Sequence, residues 1–225
     1  EMIEGYDKIS YEDFKKIKYD QKYPDSLAYV GNINEIFTID IKEKKLSDIH
    51  NLIKNWDKQG GYNNHGSAQW SLFYRYILEI LSENDLKVTD EIPHVFFQNA
   101  LKKTKKHLIK NFGKIDIALG DLQKHVRGDI SLPVSGLIDM IAPTYVVEHK
   151  DGTFRSVSGE SYIMLVQYSK SDIQIETILP YGNSNDNTSP HFTDQMKMYT
   201  DKKSKSMTLD KEKIYKEAAS IYNPN

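Results

Sequence analysis

Two histidine–carboxylate pairs are the first candidates for acid–base chemistry or for metal binding. His191 precedes Asp194 by three residues, and His149 directly follows Glu148. A metal site usually needs three or four convergent ligands supported by further hydrogen bonds, and each pair supplies only two side chains. We therefore interpret both pairs as structural rather than catalytic, and we predict no metal ligands in this chain.

Nucleophiles are the next requirement for a hydrolase. The chain has no cysteine, which excludes thiol catalysis, disulfides and cysteine-ligated zinc. Ser184 and Ser189 have no base at a recognisable spacing, so we interpret them as polar residues of a loop. A self-sufficient hydrolase built on His191 and Asp194 therefore lacks a nucleophile.

Composition excludes several classes of partner. The chain has 225 residues, of which 30 are Lys or Arg and 32 are Asp or Glu, and its net charge of -2 argues against nucleic acid and anionic membranes. No apolar run approaches the ~20 residues that span a bilayer. A hydrophobic content of 39%, with 15 Tyr and 8 Phe, predicts a folded chain. A cluster of lysines is interpreted as the solvated face of a helix: Lys102, Lys103, Lys105 and Lys106.

Residues 1–112 are predicted to be a helical region, because apolar residues recur there at spacings of three and four. Ser10 followed by Asp13 resembles a capping box. A later helix is expected between Pro93 and Gly113, since proline suits a first helical turn and glycine a helix end. Two apolar stripes lie between these helices: Leu46, Ile49, Leu52, Ile53 and Trp56, and then Trp70, Phe73, Tyr74, Ile77, Leu78 and Leu81.

Residues 113–225 are predicted to be a strand-rich region that ends in a helix. Asp151-Gly152 is a hairpin signal between two short alternating runs. Residues 161–168 and 172–179 indicate two further, well buried strands, and residues 209–222 return to helical spacing. Helices followed by strands indicate an α+β fold. We expect residues 140–182 to supply adjacent strands of one sheet, which another part of the same protein completes.

A family resemblance rests on three motifs that occur in one order. Residues 181–195 read YGNSNDNTSPHFTDQ, residues 120–128 read GDLQKHVRG before LPVSG at 132–136, and residues 52–57 read LIKNWD. These segments resemble motifs of the penicillin acylases, with departures at Leu119, where the family usually has Trp, and at Asn185 and Asp186, where a Gly is common. The family-motif positions, for which the resemblance implies structural roles, are Gly120, Asp121, Tyr181, Gly182, Ser189, Pro190, His191, Asp194 and Gln195.

The resemblance implies an N-terminal-nucleophile hydrolase with a four-layer αββα core, in which both regions are parts of one larger hydrolase domain. In such enzymes a precursor cuts itself to expose a serine, whose own α-amine acts as the base. The implied partners are the rest of the precursor, namely the nucleophile-bearing segment and the small subunit, and a small-molecule amide substrate. The resemblance further implies a periplasmic or secreted location and no cofactor, and it allows calcium in the intact protein.

None of the family's catalytic residues can be assigned to this chain. Residue 1 is Glu1, and the family's serine and its oxyanion asparagine precede the region that is matched here. Ser67 follows Gly66, which is the dipeptide type that self-cleavage uses, but Ser67 opens the strongest helical stripe and we interpret it as a helix N-cap. We interpret His191 as a buried residue of a structural corner, bonded to backbone groups or to Asp194.

The function predicted from the sequence is therefore the carboxy-terminal part of an acylase. Its substrates would be acyl-homoserine lactones or β-lactam amides, with the acyl-homoserine-lactone acylase branch favoured by the GDLQ and SPHF segments. The chain alone is expected to be inactive. The alternative is a non-catalytic module that binds a protein or a sugar through its aromatic surface.

Overall fold

Most helices precede the strands along the chain, and the α+β fold class is confirmed. The computed structural model describes residues 2–25, 30–170 and 172–221. Its helices are α1 Tyr11–Lys18, α2 Ser47–Lys54, α3 Ser67–Glu83, α4 His94–Phe112, α5 Leu119–Leu122, α6 Met196–Thr200 and α7 Lys211–Glu217, with 3₁₀ helices at Ile33–Phe37 and Lys44–Leu46. Its strands are β1 Gln123–Arg127, β2 Ile130–Pro133, β3 Thr144–Glu148, β4 Phe154–Gly159, β5 Ile163–Tyr168, β6 Ile173–Ile178 and β7 Lys205–Met207.

Two compact units divide these elements. The central unit is Tyr19–Gly159, and the terminal unit combines Glu1–Lys18 with Glu160–Asn225. The boundaries of these units differ from the change of element type at Gly113. The division at Gly113 into a helical and a strand-rich region, and their union in one larger hydrolase domain, stay predictions.

The apolar core of the central unit lies around α3. Trp70, Phe73, Ile77 and Leu81 are almost fully buried, and their spacing places them on one face of the helix. Trp70 is surrounded by aromatic rings, with the centroid of Trp56 at 6.0 Å and that of Tyr23 at 5.7 Å. The predicted aromatic stripe therefore forms the centre of the core.

A four-stranded sheet completes the central unit, in the order β2-β1-β4-β3. β1 pairs antiparallel with β2 and parallel with β4. β3 and β4 form the hairpin predicted at Asp151-Gly152, with Glu148 opposite Phe154. Gly152 has a φ of +79°, and a Cβ there would lie 2.2 Å from the side-chain Cγ of Asn111, so this turn requires glycine.

The β3–β4 hairpin is fastened to α4 by His107, which is 6% exposed. Its Nε2 lies 2.8 Å from the carbonyl oxygen of Gly152, and its Nδ1 lies 3.0 Å from the hydroxyl of Tyr76. Burial raises the pKa of Tyr76 to about 12, so this hydroxyl keeps its proton and can donate to Nδ1. The imidazole also stacks on Phe154, with ring centroids 5.7 Å apart.

We expect His107→Ala to destabilise the central unit more than His107→Phe. Both changes leave the buried Gly152 carbonyl and Tyr76 hydroxyl without a partner, a loss of about 1–3 kcal/mol for such groups. Only the alanine also removes the ring that stacks on Phe154, and it leaves a cavity. Urea unfolding of the three proteins measures the difference, and wild-type midpoints for both variants would contradict the role of His107 as an anchor.

The terminal unit contains a second sheet in the order β5-β6-β7. Both pairs are antiparallel, with Val166 opposite Ile175 and Ile175 opposite Met207. The prediction of one sheet for residues 140–182 is therefore wrong, because β3 and β4 pair with β1 whereas β5 and β6 pair with β7. The prediction that β5 and β6 are well buried is also wrong, since Met164, Gln167 and Tyr168 of β5 and Ile173 and Gln174 of β6 are exposed.

The helix ends follow the sequence signals at Ser10 and at Gly113 but not at Ser67. The Ser10 hydroxyl accepts a hydrogen bond from the backbone N–H of Asp13, and Gly113 ends α4 in the left-handed conformation with a φ of +71°. Ser67, however, is the first residue of α3 rather than its N-cap, which is Gly66. In the described residues no helix is long and apolar enough to cross a membrane.

Candidate functional site

A cavity of about 490 Å³ opens in the central unit between α3 and the four-stranded sheet. Its interior is formed by buried residues of distant segments, including Tyr23, Trp70, Leu137 and Phe154. Trp70, Tyr74 and Leu78 recur every fourth residue on α3, which places them along one face of the helix. Because those side chains come from one helix, one sheet and two loops, the cavity is a product of tertiary packing.

Charged side chains stand where the cavity opens. Arg75 and Glu79 line it from α3. The guanidinium carbon of Arg75 lies 5.0 Å from the centre of the Phe154 ring. The nearest carboxylate belongs to Glu148, whose Oε2 lies 4.0 Å from Nη2 of Arg75. Glu79 instead pairs with Lys103 at 3.0 Å. The mouth of the cavity therefore has one cation, Arg75, over the Phe154 ring, and one carboxylate, Glu79, whose charge is paired with Lys103.

The GDLQ segment positions one wall of the cavity. The N–H of Gly120 donates to the Tyr62 carbonyl at 2.7 Å, and a Cβ on Gly120 would lie 2.6 Å from Pro133 Cβ. The Asp121 carboxylate accepts from the backbone N–H of Ala118. These contacts fix the backbone immediately before β1.

Gln123, the first residue of β1, is 1% exposed and lines the cavity. Its Nε2 donates to the carbonyls of Val134 and Gly136 at 3.1 and 2.8 Å. The side chain thereby ties β1 to the segment that follows β2. Gly120 and Asp121 thus help to fix the backbone that presents Gln123 to the cavity.

The Trp56-Asp57 motif closes the loop before α3. The indole N–H of Trp56 donates to Asn64 Oδ1 at 2.8 Å, and the Asn64 amide donates to the Asp57 carboxylate at 2.9 Å. Gly66, with a φ of +88°, lies against the Trp56 side chain. Ser67 is fully buried, and its hydroxyl donates to the Asn64 carbonyl at 3.0 Å. Ser67 is thus part of the helix start.

In the terminal unit, the motif at 181–195 forms a corner stabilised by Gln195. This residue is 4% exposed, its side-chain oxygen accepts from the N–H of Leu179 at 3.0 Å, and its own N–H donates to the Tyr181 carbonyl at 2.9 Å. A Cβ on Gly182 would lie 2.2 Å from the His191 carbonyl oxygen. The close approach of the two chain segments therefore requires glycine at this position.

The prediction that His191 is buried is wrong. Its side chain is 67% exposed, although its Nδ1 does lie 2.8 Å from the Asp194 carboxylate. The hydroxyl of Ser189 accepts from the backbone N–H of His191, and Pro190 is exposed. In this corner Gln195 is buried and the imidazole of His191 is exposed to solvent. The buried side chain of the motif is therefore Gln195 and not the predicted His191.

The other candidate residues lie in different environments. His149 pairs with Asp151 at 3.2 Å rather than with Glu148. The pKa of Asp151 is lowered to about 2, mainly by hydrogen bonds from the hydroxyl and the backbone N–H of Thr153 and to a smaller extent by His149. Among the residues that the structure describes, no group of three or more His, Cys, Asp or Glu could hold a metal ion. Three members of the lysine cluster pair with acidic residues: Lys102 with Glu43, Lys103 with Glu79 and Lys105 with Asp48.

Comparison with known proteins identifies a family and similar solved structures. The family model described as Penicillin amidase matches residues 1–216. The chain is similar to a thermostable penicillin G acylase from Alcaligenes faecalis in orthorhombic form, with 12% identity and a TM-score of 0.44. The similarity covers 96% of this chain and 49% of the acylase chain, so the chain spans about half the length of that structure. No curated protein matches it. Because the family model covers nearly the whole sequence, the chain belongs to the penicillin amidase family.

Proposed function

We propose that this chain is the carboxy-terminal part of an amide hydrolase whose nucleophilic serine lies in a segment upstream of it. The observation that carries the proposal is the family match over residues 1–216, joined to the engagement of the candidate nucleophiles in structural contacts. Ser67 is buried at a helix start, and the Ser189 hydroxyl accepts from a backbone N–H. These contacts support a structural role for both hydroxyls.

The upstream segment would supply the chemistry. A free α-amine has an ordinary pKa of about 7.7–8.0, so near neutral pH it can accept the proton of its own serine hydroxyl. Backbone N–H groups and an asparagine side chain would then stabilise the oxyanion of the tetrahedral intermediate. The substrate class we propose is an acyl-homoserine lactone or a β-lactam amide, hydrolysed in the periplasm or outside the cell.

The terminal unit offers a surface that such a segment could cover. Cross-strand pairing of Tyr168 with Ile173 and of Ile175 with Met207 places these side chains on one face of the sheet. Tyr168 is 77% exposed and Met164 on the same face is 51% exposed, whereas Ile175 is buried at 7%. On the opposite face the Glu176 carboxylate accepts from Lys15 of α1, and the Tyr11 hydroxyl of α1 donates to the Leu165 backbone carbonyl. The exposed part of the first face fits a partner segment from the same precursor.

Reconstitution tests this proposal. The isolated chain should show no turnover of an acyl-homoserine lactone or a β-lactam amide. The chain co-expressed with the rest of its precursor should hydrolyse at least one of them, and Ser67→Ala should not reduce that activity. Turnover by the isolated chain that disappears in Ser67→Ala would overturn the proposal. If neither form hydrolyses amides while the isolated chain binds a protein or a sugar, the non-catalytic module is the better description.

A further inference from the structure

The cavity of the central unit has the size and lining of a small-molecule site. Its volume of about 490 Å³ falls within the roughly 300–1,000 Å³ that is usual for such sites. Tyr23, Trp70 and Phe154 contribute aromatic surface and are each at most 3% exposed. A rigid aromatic interior favours a ligand with an apolar chain or ring, since burying apolar surface is the main source of its affinity.

One cation at the mouth is held in place but has few polar contacts. The Arg75 guanidinium carbon lies over the Phe154 ring, 5.0 Å from its centre, and Phe154 has no polar atom that could accept a hydrogen bond from the guanidinium N–H groups. Among the described residues, no hydrogen bond involves this side chain, and its ion pair with Glu148 spans 4.0 Å. Both partners of that pair are about 40% exposed, so the pair contributes little and is easily replaced.

The remaining charges at the mouth do not oppose an anion strongly. Glu79 also lines the cavity, but its carboxylate is 3.0 Å from the ammonium of Lys103. Lys103 stands over the ring of Tyr76 at 5.8 Å, which holds the ammonium near Glu79. The carboxylate nearest to Arg75 is therefore Glu148, which an incoming ligand carboxylate would displace.

We propose that this cavity binds a small carboxylic acid with an apolar chain or ring. The apolar body lies between α3 and the sheet, and the carboxylate forms a bidentate pair with Arg75, a geometry for which a guanidinium is well suited. The site lies wholly within the central unit and involves no chemical step. Its existence is therefore independent of the amide hydrolysis proposed above.

Calorimetric titration tests the site, with octanoate as the probe and 1-octanol as its uncharged counterpart, on the full-length protein whose reacting serine has first been blocked with a sulfonyl fluoride so that the proposed hydrolytic site does not take up either probe. Arg75→Met keeps an apolar stem over Phe154 but removes the guanidinium. We expect this variant to bind octanoate about tenfold more weakly, equivalent to ~1.4 kcal/mol, while its affinity for 1-octanol changes by less than about twofold. Equal weakening of both probes, or no change with octanoate, would overturn the carboxylate pairing.

A second variant tests the location. Ile138 lines the cavity and is partly exposed, so Ile138→Trp should fill the space and abolish binding of both probes. Ile109→Trp, at a residue on α4 that is 48% exposed and does not line the cavity, is the matched control and should bind both normally. If Ile138→Trp fails to fold, Ser71→Phe fills the cavity from α3. Undiminished octanoate binding by a folded, filled variant, or no binding by the wild-type protein because another segment occupies the cavity, would refute the proposal.

Discussion

Replacement of Gly66 by alanine should destabilise the central unit by about 2–5 kcal/mol, the sum of ~1–2 for a left-handed backbone at a non-glycine residue and ~1–3 for overpacking. Gly66 has a φ of +88°, and a Cβ there would lie 2.7 Å from Trp56 Cβ. Trp56 has little room to move, because its indole N–H donates to Asn64 and its ring stacks on Trp70 at 6.0 Å.

A matched glycine separates the two contributions. Gly113 also has a positive φ, +71°, but a Cβ there would meet nothing within 4 Å. Gly113→Ala should therefore show only the backbone cost of ~1–2 kcal/mol, and Gly5→Ala, which has neither constraint, should show almost none. Urea unfolding of the three variants ranks them directly. Equal losses for Gly66→Ala and Gly113→Ala would show that the Trp56 contact is unimportant.

The second large effect is expected at Gln195, rather than at the histidine of the same motif. Gln195→Ala removes the side-chain acceptor of the Leu179 N–H, and an unsatisfied group of this kind costs about 1–3 kcal/mol. His191→Ala breaks only an exposed pair with Asp194, and such pairs are worth about 0–1 kcal/mol. We therefore expect Gln195→Ala to lower the unfolding midpoint clearly and His191→Ala to lower it slightly.

The same two variants separate structure from catalysis in the full-length protein. We expect the folded and processed fraction of each to retain near-normal turnover, with a reduced yield for Gln195→Ala. Specific activity per folded molecule is the quantity to measure. A His191→Ala variant that folds and matures normally but loses several orders of magnitude in turnover would make His191 catalytic and contradict its assignment to the corner.

Locally encoded elements were predictable from the sequence. The aromatic stripe of α3 has helical spacing, the Asp151-Gly152 turn lies between alternating runs, and Gly113 ends α4. Each of these signals depends on residues close together in the chain, and each structural element follows it. The family motifs likewise pointed to glycines that have little room for a side chain, as at Gly120 and Gly182.

Long-range pairing was not predictable in the same way. β7 has only three residues, Lys205–Met207, and no alternating run marks it, yet it completes the sheet of β5 and β6. The parallel pairing of β1 with β4 joins residues about thirty positions apart. The assignment of β3 and β4 to one sheet and of β5 and β6 to another depends on those partners, which spacing along one strand does not reveal.

The cavity could not be predicted from the sequence for a related reason. The exposure of His191 could not be predicted for a different reason. Arg75 occupies an ordinary helical position in the sequence, and only the tertiary packing of β4 brings the Phe154 ring beneath its guanidinium. His191 is a candidate in the sequence because an imidazole can act as a general acid, a general base or a metal ligand. Whether a side chain of a turn points inward depends on the whole corner, and there the uncharged Gln195 is the buried residue.

The central claim, that the reacting serine lies outside this chain, is tested most directly by covalent labelling. The full-length, processed protein is treated with a serine-directed sulfonyl fluoride until amide hydrolysis is lost, and the adduct is located by digestion and mass spectrometry. We expect one stoichiometric adduct on the amino-terminal serine of the upstream segment and none within residues 1–225. A stoichiometric adduct on Ser67, Ser184 or Ser189, formed in proportion to the loss of activity, would contradict the claim.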